Sequence, residues 1–353
     1  MTLTELARST AREPSLVVTP AVVAHRGASG HRPEHTLDAY RTAIRMGVDD
    51  IELDVVVTRD GVLVARHENE ISATTDVADH PRFADRRTTK VVDGHVVTGW
   101  FTEDFTLVEL KQLTTRERLP RLRPANTEYD RCEGVPTLGE VFAMVQAESV
   151  RRGVGVGVMV ELKHAAYFDA LGLPLDRPLL DDLARHGLDH PRSRVTIMSF
   201  ETTILRRLAP EVRLPVVQLV GRRRERPADL AAVGDRRTFA DLLSPDGLAD
   251  IDEYADGLGV MKGLVLPRDR EGRTGRPSTL VRDAHRRWLT VHVWTLRAEN
   301  AYLPADFRGP GHRRDHGHLA AEAQAHLDAG VDGIITDHPD LVLPVVSATR
   351  PAS

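Results

Sequence analysis

Short apolar runs recur along the chain, and most of them stop at a polar or charged residue. They are Ala21–Ala24 followed by His25, Ile51–Val57 carrying Glu52 and Asp54, and Val62–Ala65 with His67 two positions on. Further along come Val156–Val160 before Glu161, Val195–Met198 before Ser199, Pro215–Val220, Val291–Trp294, and Gly333–Thr336 before Asp337. Short, β-branched and bounded runs of this kind predict buried strands. Between them lie amphipathic segments at helical spacing: Glu34–Met46, Leu138–Ala147, Leu179–His186, Thr202–Leu208, Ser278–Arg287 and Leu319–Ala329. Strands alternating with helices imply βαβ units and a mainly parallel sheet. About eight such units point to an α/β fold of the (β/α)8 TIM-barrel type, in which chemistry collects at the C-terminal ends of the strands. The turn Thr58-Arg59-Asp60-Gly61 is too short for a helical crossover, so the strand before His67 is expected to be antiparallel and the barrel irregular.

The rhythm breaks twice. Residues 68–135 are polar and loop-rich, and read as an insertion subdomain on the catalytic face. Residues 221–250 are irregular and open on Arg222-Arg223-Arg224-Glu225-Arg226, which reads as a solvated loop. Both are expected to shape one side of the site. The layout is thus an N-terminal extension at 1–20, a barrel domain at 21–345 containing the insertion, and a tail at 346–353.

Composition changes this picture little. With 353 residues, 41% hydrophobic and 28% charged, the chain is ordinary for a globular protein. A net charge of −5 argues against nucleic acid as partner, so an anionic ligand would need local Arg, Lys or metal. Nothing in it reaches the roughly 20 apolar residues of a membrane span. The single cysteine, Cys132, excludes an intramolecular disulfide. Met1–Pro20 lacks the apolar core of a leader, so the sequence as given is expected to be cytoplasmic, as a monomer or dimer. The loop Gly311–His318 holds three histidines without a second ligand cluster, and reads as surface.

Glu52 and Asp54 are two apart on a strand and therefore share a face. Two carboxylates on one face of a buried strand repel and lose solvation unless a cation sits between them. A hard divalent ion, Mg²⁺ or Ca²⁺, removes that cost, with Glu161 as a third oxygen donor. Lys163, again two residues on, suits a phosphate beside the metal. His25 and His67 are placed for general acid–base work near neutral pH, and Arg26 offers its fork of donors to phosphate oxygens.

Taken together these segments resemble the glycerophosphodiester phosphodiesterase family. The resemblance is carried by His25-Arg26-Gly27-Ala28-Ser29-Gly30, Pro33-Glu34-His35-Thr36-Leu37, Ile51-Glu52-Leu53-Asp54-Val55 and Thr58-Arg59-Asp60-Gly61, then His67, in that order and spacing. Glu161-Leu162-Lys163, Ser199-Phe200-Glu201, Val293-Trp294-Thr295 and Gly330–Asp337 resemble its later strands, so that the likeness runs from about 21 to 343. The long segment after His67, with Gly99-Trp100-Phe101-Thr102-Glu103-Asp104-Phe105, resembles the long type that includes periplasmic bacterial enzymes.

The resemblance implies a barrel, one bound Ca²⁺ or Mg²⁺, and hydrolysis of a small glycerophosphodiester to sn-glycerol 3-phosphate and an alcohol. Carried over by position, Glu52, Asp54 and Glu161 would hold the metal, and His25 and His67 would be the acid–base pair. Arg26 and Lys163 would bind phosphate, Phe200 and Trp294 would line the glycerol or leaving-group side, and Glu34 would orient Arg26. His35 stands where the family often has asparagine, and Ala73 where glycine is common. The competing expectations are a related barrel phosphodiesterase acting on lipid or teichoic-acid diesters, and an inactive barrel that only binds phosphodiesters.

Overall fold

The apolar runs become strands because each can be buried on both faces, one against the barrel interior and one against the helices. In the computed structural model, which describes residues 19–349, the strands in chain order are β1 (Ala21–His25), β2 (Asp50–Val57), β3 (Leu63–Ala65), β4 (Thr88–Val92), β5 (His95–Gly99) and β6 (Gly157–Leu162). They continue with β7 (Val195–Ser199), β8 (Val216–Val220), β9 (Gly257–Met261), β10 (Thr290–Leu296) and β11 (Gly333–Thr336). Strands β1, β2, β6, β7, β8, β9, β10 and β11 pair in parallel in that order, and β11 returns to β1 to close a barrel of TIM type. Val23, Met159, Met198, Val217, Leu219 and Ile335 fill its interior, while the larger core lies between strands and helices.

The helices start and stop where local chemistry dictates. Leu37–Met46 is capped by the Thr36 hydroxyl, which accepts from the Ala39 N–H, and ends at Gly47 in the left-handed region. Leu138–Arg152 opens on a reciprocal capping box between Thr137 and Glu140.

Two strands differ from expectation. β3 is not a barrel strand. It pairs antiparallel with β2, after the turn in which the Thr58 hydroxyl donates to Asp60 at 2.6 Å. The eighth barrel strand is β9, Gly257-Leu258-Gly259-Val260-Met261, whose two glycines hide it from an apolar-run reading. They are there for space: a Cβ at Gly259 would collide with the Leu219 side chain, and one at Gly257 with the Thr290 hydroxyl.

Residues 66–137 carry the hairpin β4–β5 as a separate two-stranded sheet and attach to the barrel through bridges such as Val64 with Thr137. Residues 221–250 are more ordered than a solvated loop. After the exposed arginines they form helices Ala228–Ala232, Phe239–Leu242 and the start of Pro245–Asp252. The last helix, Pro339–Thr349, runs past the expected domain end at 345, and Val346 is buried, so 346–349 is not a tail. Residues 1–18 of the expected extension and 350–353 lie outside the described residues. Among the described residues no helix is long and apolar enough to cross a membrane.

Candidate active site

Strand register brings the charged residues together at one rim. His25 pairs with Glu52 across β1 and β2, and Asp54 pairs with Glu161 across β2 and β6. Glu52, Asp54 and Glu161 are buried, and one carboxylate oxygen from each lies within 4.8 Å of the others. His67 reaches this level by a different route. β2 extends past Asp54 to Val57, and β3 folds back along it until the Arg66 N–H meets the Asp54 carbonyl at 3.1 Å. The antiparallel turn thus delivers His67 beside Lys163, whose Nζ donates to His67 Nε2 at 3.3 Å.

Each histidine is oriented by a carboxylate on its other nitrogen. His25 Nδ1 donates to Asp337 at 2.6 Å, and His67 Nδ1 to Glu68 at 2.5 Å. Both imidazoles therefore keep Nε2 free of the orienting bond, on the ring edge away from it. Burial, then the Arg26 charge, lowers His25 to about 4; burial, Arg26 and Lys163 lower His67 to about 3. Both are neutral at pH 7.

The carboxylates carry the complementary strain. Burial, together with the neighbouring Asp54, pushes Glu161 up to about 8 even though Lys163 sits 2.8 Å away. Burial, Asp54 and Glu161 push Glu52 well above the usual range. Asp54 is held low against its burial by His67, Arg26 and Lys163. Three crowded oxygen donors, which Lys163 and an Arg26 shared with Glu34 neutralise only in part, form a donor set that fits a hard divalent ion. His35 supports the cluster from behind. Its Nδ1 accepts from the Tyr40 hydroxyl at 2.8 Å, which leaves Nε2–H to donate to Asp54 at 2.9 Å. Ala73 lies in an exposed turn without positive φ, so nothing there demands glycine.

Arg26 takes a strained left-handed backbone (φ +57°) that aims its N–H at Glu52, 2.9 Å away. Its guanidinium contacts Glu34 at 3.0 Å and Asp54 at 3.2 Å, and Glu34 is in turn held by Arg118 at 2.6 and 2.8 Å. A cavity of about 170 Å³ is lined by His25, Arg26, Glu52, His67, Glu161, Phe200 and Trp294, so these expected residues converge on one space. Lys163 lines the adjoining groove of about 560 Å³, which also shares Glu161, Phe200 and Trp294. Phe200 and Trp294 meet edge to face, with centroids 5.5 Å apart, and Trp294 Nε1 donates to the Gly259 carbonyl at 2.9 Å. Glu34 does not line the cavity and supports Arg26, and Asp54 meets the cavity through the carboxylate cluster with Glu52 and Glu161.

Four residues were missed from the sequence. Asp337 holds His25 and is itself clamped by Arg123 at 2.5 Å and Arg297 at 2.7 Å. Arg123 comes from the insertion, where it is buried and also pairs with Glu299 at 2.6 Å. Glu68 does for His67 what Asp337 does for His25. Asp337 carried a readable signal, an acid ending the last apolar run, as His25 and Glu161 do theirs; Arg123 carried none. Among the described residues the histidines of Gly311–His318 are exposed and belong to no such acidic or histidine cluster.

The profile of the glycerophosphoryl diester phosphodiesterase family matches residues 25–341. A glycerophosphodiester phosphodiesterase of Arabidopsis thaliana is 31% identical over 345 residues, covering 94% of this chain and 87% of that protein. One of Haemophilus influenzae is 26% identical over 341 residues, covering 90% and 87%. Among solved structures, an Oleispira antarctica phosphodiesterase in complex with the product sn-glycerol 3-phosphate shares the fold, with a TM-score of 0.59, 18% identity and coverage of 93% of this chain and 97% of that one. The barrel, the acidic cluster and the paired histidines are thus those of a chain that belongs to the glycerophosphoryl diester phosphodiesterase family.

Proposed function

We propose that this enzyme hydrolyses glycerophosphodiesters to sn-glycerol 3-phosphate and an alcohol, using His25 and His67 around a divalent ion held by Glu52, Asp54 and Glu161. The observation that carries the reading is the placement of two carboxylate-oriented neutral imidazoles on one cavity with three crowded carboxylates. When bound, a divalent ion supplies Lewis-acid neutralisation of the phosphate oxygens.

The chain's own residues do the rest. Lys163 sits beside both Glu161 and His67, where it offsets negative charge on the diester. One imidazole accepts through Nε2 the proton of the attacking hydroxyl, that of water or of the glycerol C2, while the other gives a proton to the departing alkoxide; where the glycerol hydroxyl attacks, water then opens the cyclic phosphate with the same pair. An anionic phosphodiester between the histidines raises their affinity for protons, which lets the one acting as acid carry its charge near neutral pH. Asp337 and Glu68 hold the two rings by Nδ1–H, so neither has to search for its orientation at the moment of transfer.

Exhaustive chelation is expected to reduce turnover of glycerophosphocholine to background, with recovery on adding Ca²⁺ or Mg²⁺ and with sn-glycerol 3-phosphate as the phosphorylated product by ³¹P NMR. Full activity in the chelated protein sinks the metal assignment, and release of an alcohol phosphate with free glycerol sinks the reaction.

A further inference from the structure

His25 ends β1 and His67 follows β3, yet the carboxylates that orient them are engaged in the same way. Asp337 gives one oxygen to His25 Nδ1 at 2.6 Å and the other to Arg123 at 2.5 Å. Glu68 gives one oxygen to His67 Nδ1 and the other to Arg118, each at 2.5 Å. Arg118 and Arg123 are five residues apart in the insertion, so one short stretch of chain stands behind both imidazoles.

That stretch is braced along its length. Glu117 accepts the Leu119 N–H at 2.7 Å and the Asn126 amide at 2.8 Å, which closes residues 117–126 on themselves. The Leu122 and Arg123 N–H groups both return to the Leu119 carbonyl at 2.8 Å. It is also fastened to the loop after β1. Arg123 and Asn126 donate to the Ser29 carbonyl at 2.8 and 3.1 Å, and the Ser29 hydroxyl donates to the His25 carbonyl at 2.8 Å. An arginine fork can bridge two carboxylates at fixed angles, which a lysine ammonium does not do. Each arginine is used in that way: Arg118 joins Glu34 to Glu68, and Arg123 joins Glu299 to Asp337.

We infer that residues 117–126 form a positioning strap, in which Arg118 sets His67 through Glu68 and Arg123 sets His25 through Asp337. Both are positioning residues, because neither lines the cavity that would hold the diester. The strap rests on the hydrolytic reading above, in which the two imidazoles work as a pair, and adds what places them relative to each other. One piece of chain behind both rings fixes the distance between them, and a paired proton transfer depends on that distance.

Double-mutant cycles in kcat for glycerophosphocholine, at saturating metal, test the strap. Arg118→Gln and Arg123→Gln are each expected to lower kcat about tenfold, the scale on which the partners of a working imidazole act. Added to Glu68→Gln, Arg118→Gln should cost under about twofold more, whereas added to Asp337→Asn it should keep its full effect. Arg123→Gln should show the mirror image, nearly silent beside Asp337→Asn and fully felt beside Glu68→Gln. Arginines that merely hold the insertion folded would cost the same factor in every background. Arg123 is buried, so Arg123→Lys, which keeps the charge and loses the fork, takes the place of a glutamine variant that does not fold, with the same expectation. A second measurement needs no cycle. The Arg118 side chain is 22% exposed, and guanidinium should restore kcat to Arg118→Ala where urea, its uncharged likeness, should not. Parental kcat in Arg118→Gln, additive losses along either arginine–carboxylate branch, or guanidinium no better than urea overturns the strap and leaves the hydrolytic reading standing. Absence of turnover in the parent overturns the hydrolytic reading itself.

Discussion

At the scale of single residues, the site is an exercise in holding neutral bases still among charges. His25 has the more elaborate support: Asp337 accepts from its Nδ1, and Arg123 and Arg297 hold Asp337 well below the usual carboxylate range despite its burial. Asp337→Asn keeps the shape but can present its amide to the ring, favouring the wrong tautomer. It is expected to lower kcat roughly 10–100-fold, as loss of a partner that orients a working imidazole does, with the fold intact by circular dichroism; parental kcat would mean that His25 needs no orienting. The sequence made the reacting groups legible because they are of unusual type for their places, polar residues ending apolar strands. It made Glu34 legible as the partner of Arg26 but left Arg123 illegible for an opposite reason. An arginine such as Arg123 in a polar insertion looks like any solvated residue until the fold buries it between Asp337 and Glu299.

At the scale of elements, periodicity found seven of the eight barrel strands and mistook β3 for the eighth. β9 was missed because its alternation is glycine with an apolar residue, and glycine carries no burial signal. What those glycines supply is room, with the Leu219 side chain and the Thr290 hydroxyl lying where side chains would otherwise stand. Gly259→Val is therefore expected to destabilise the protein by about 1–3 kcal/mol, the usual cost of overpacking a filled core. Urea unfolding measures it, and a stability equal to the parent's would show that the interior can make way. The turn into β3 shows the reverse case. Four residues were enough to predict an antiparallel return, and that return is what brings His67 down to Asp54. The hairpin β4–β5, by contrast, gave little sign of itself. It contributes Asp93 and His95 to the groove and leaves Val91 and Val96, cross-strand partners, exposed.

At the scale of the whole molecule, burial of histidines beyond the reacting pair ties stability to pH. His326, on helix Leu319–Asp328, is lowered from its ordinary 6.5 to about 3 by burial and the Lys262 charge, and His338 to about 4, first by burial. Their folded-state values are depressed, so the unfolded chain takes up the protons first. The stability they confer is fully present above pH 6.5 and drains away as pH falls toward 4. The melting temperature is expected to fall between pH 7 and 5, and less steeply in His326→Leu; equal slopes in parent and variant would rule out His326 as a cause. The barrel was legible at this scale because alternating strands and helices leave few alternatives, whereas of the groove only its sources were, the insertion and the 221–250 segment that line it, and not its shape, since the two share no pattern. The central claim joins all three scales: two histidines, delivered by a parallel strand and an antiparallel return, act together at one rim of the barrel. Release of sn-glycerol 3-phosphate from glycerophosphocholine by the His25→Ala, His67→Ala double variant, measured beside the parent, tests it most directly. The account predicts a loss of at least roughly 10²–10⁴-fold; hydrolysis at the parental rate would contradict it.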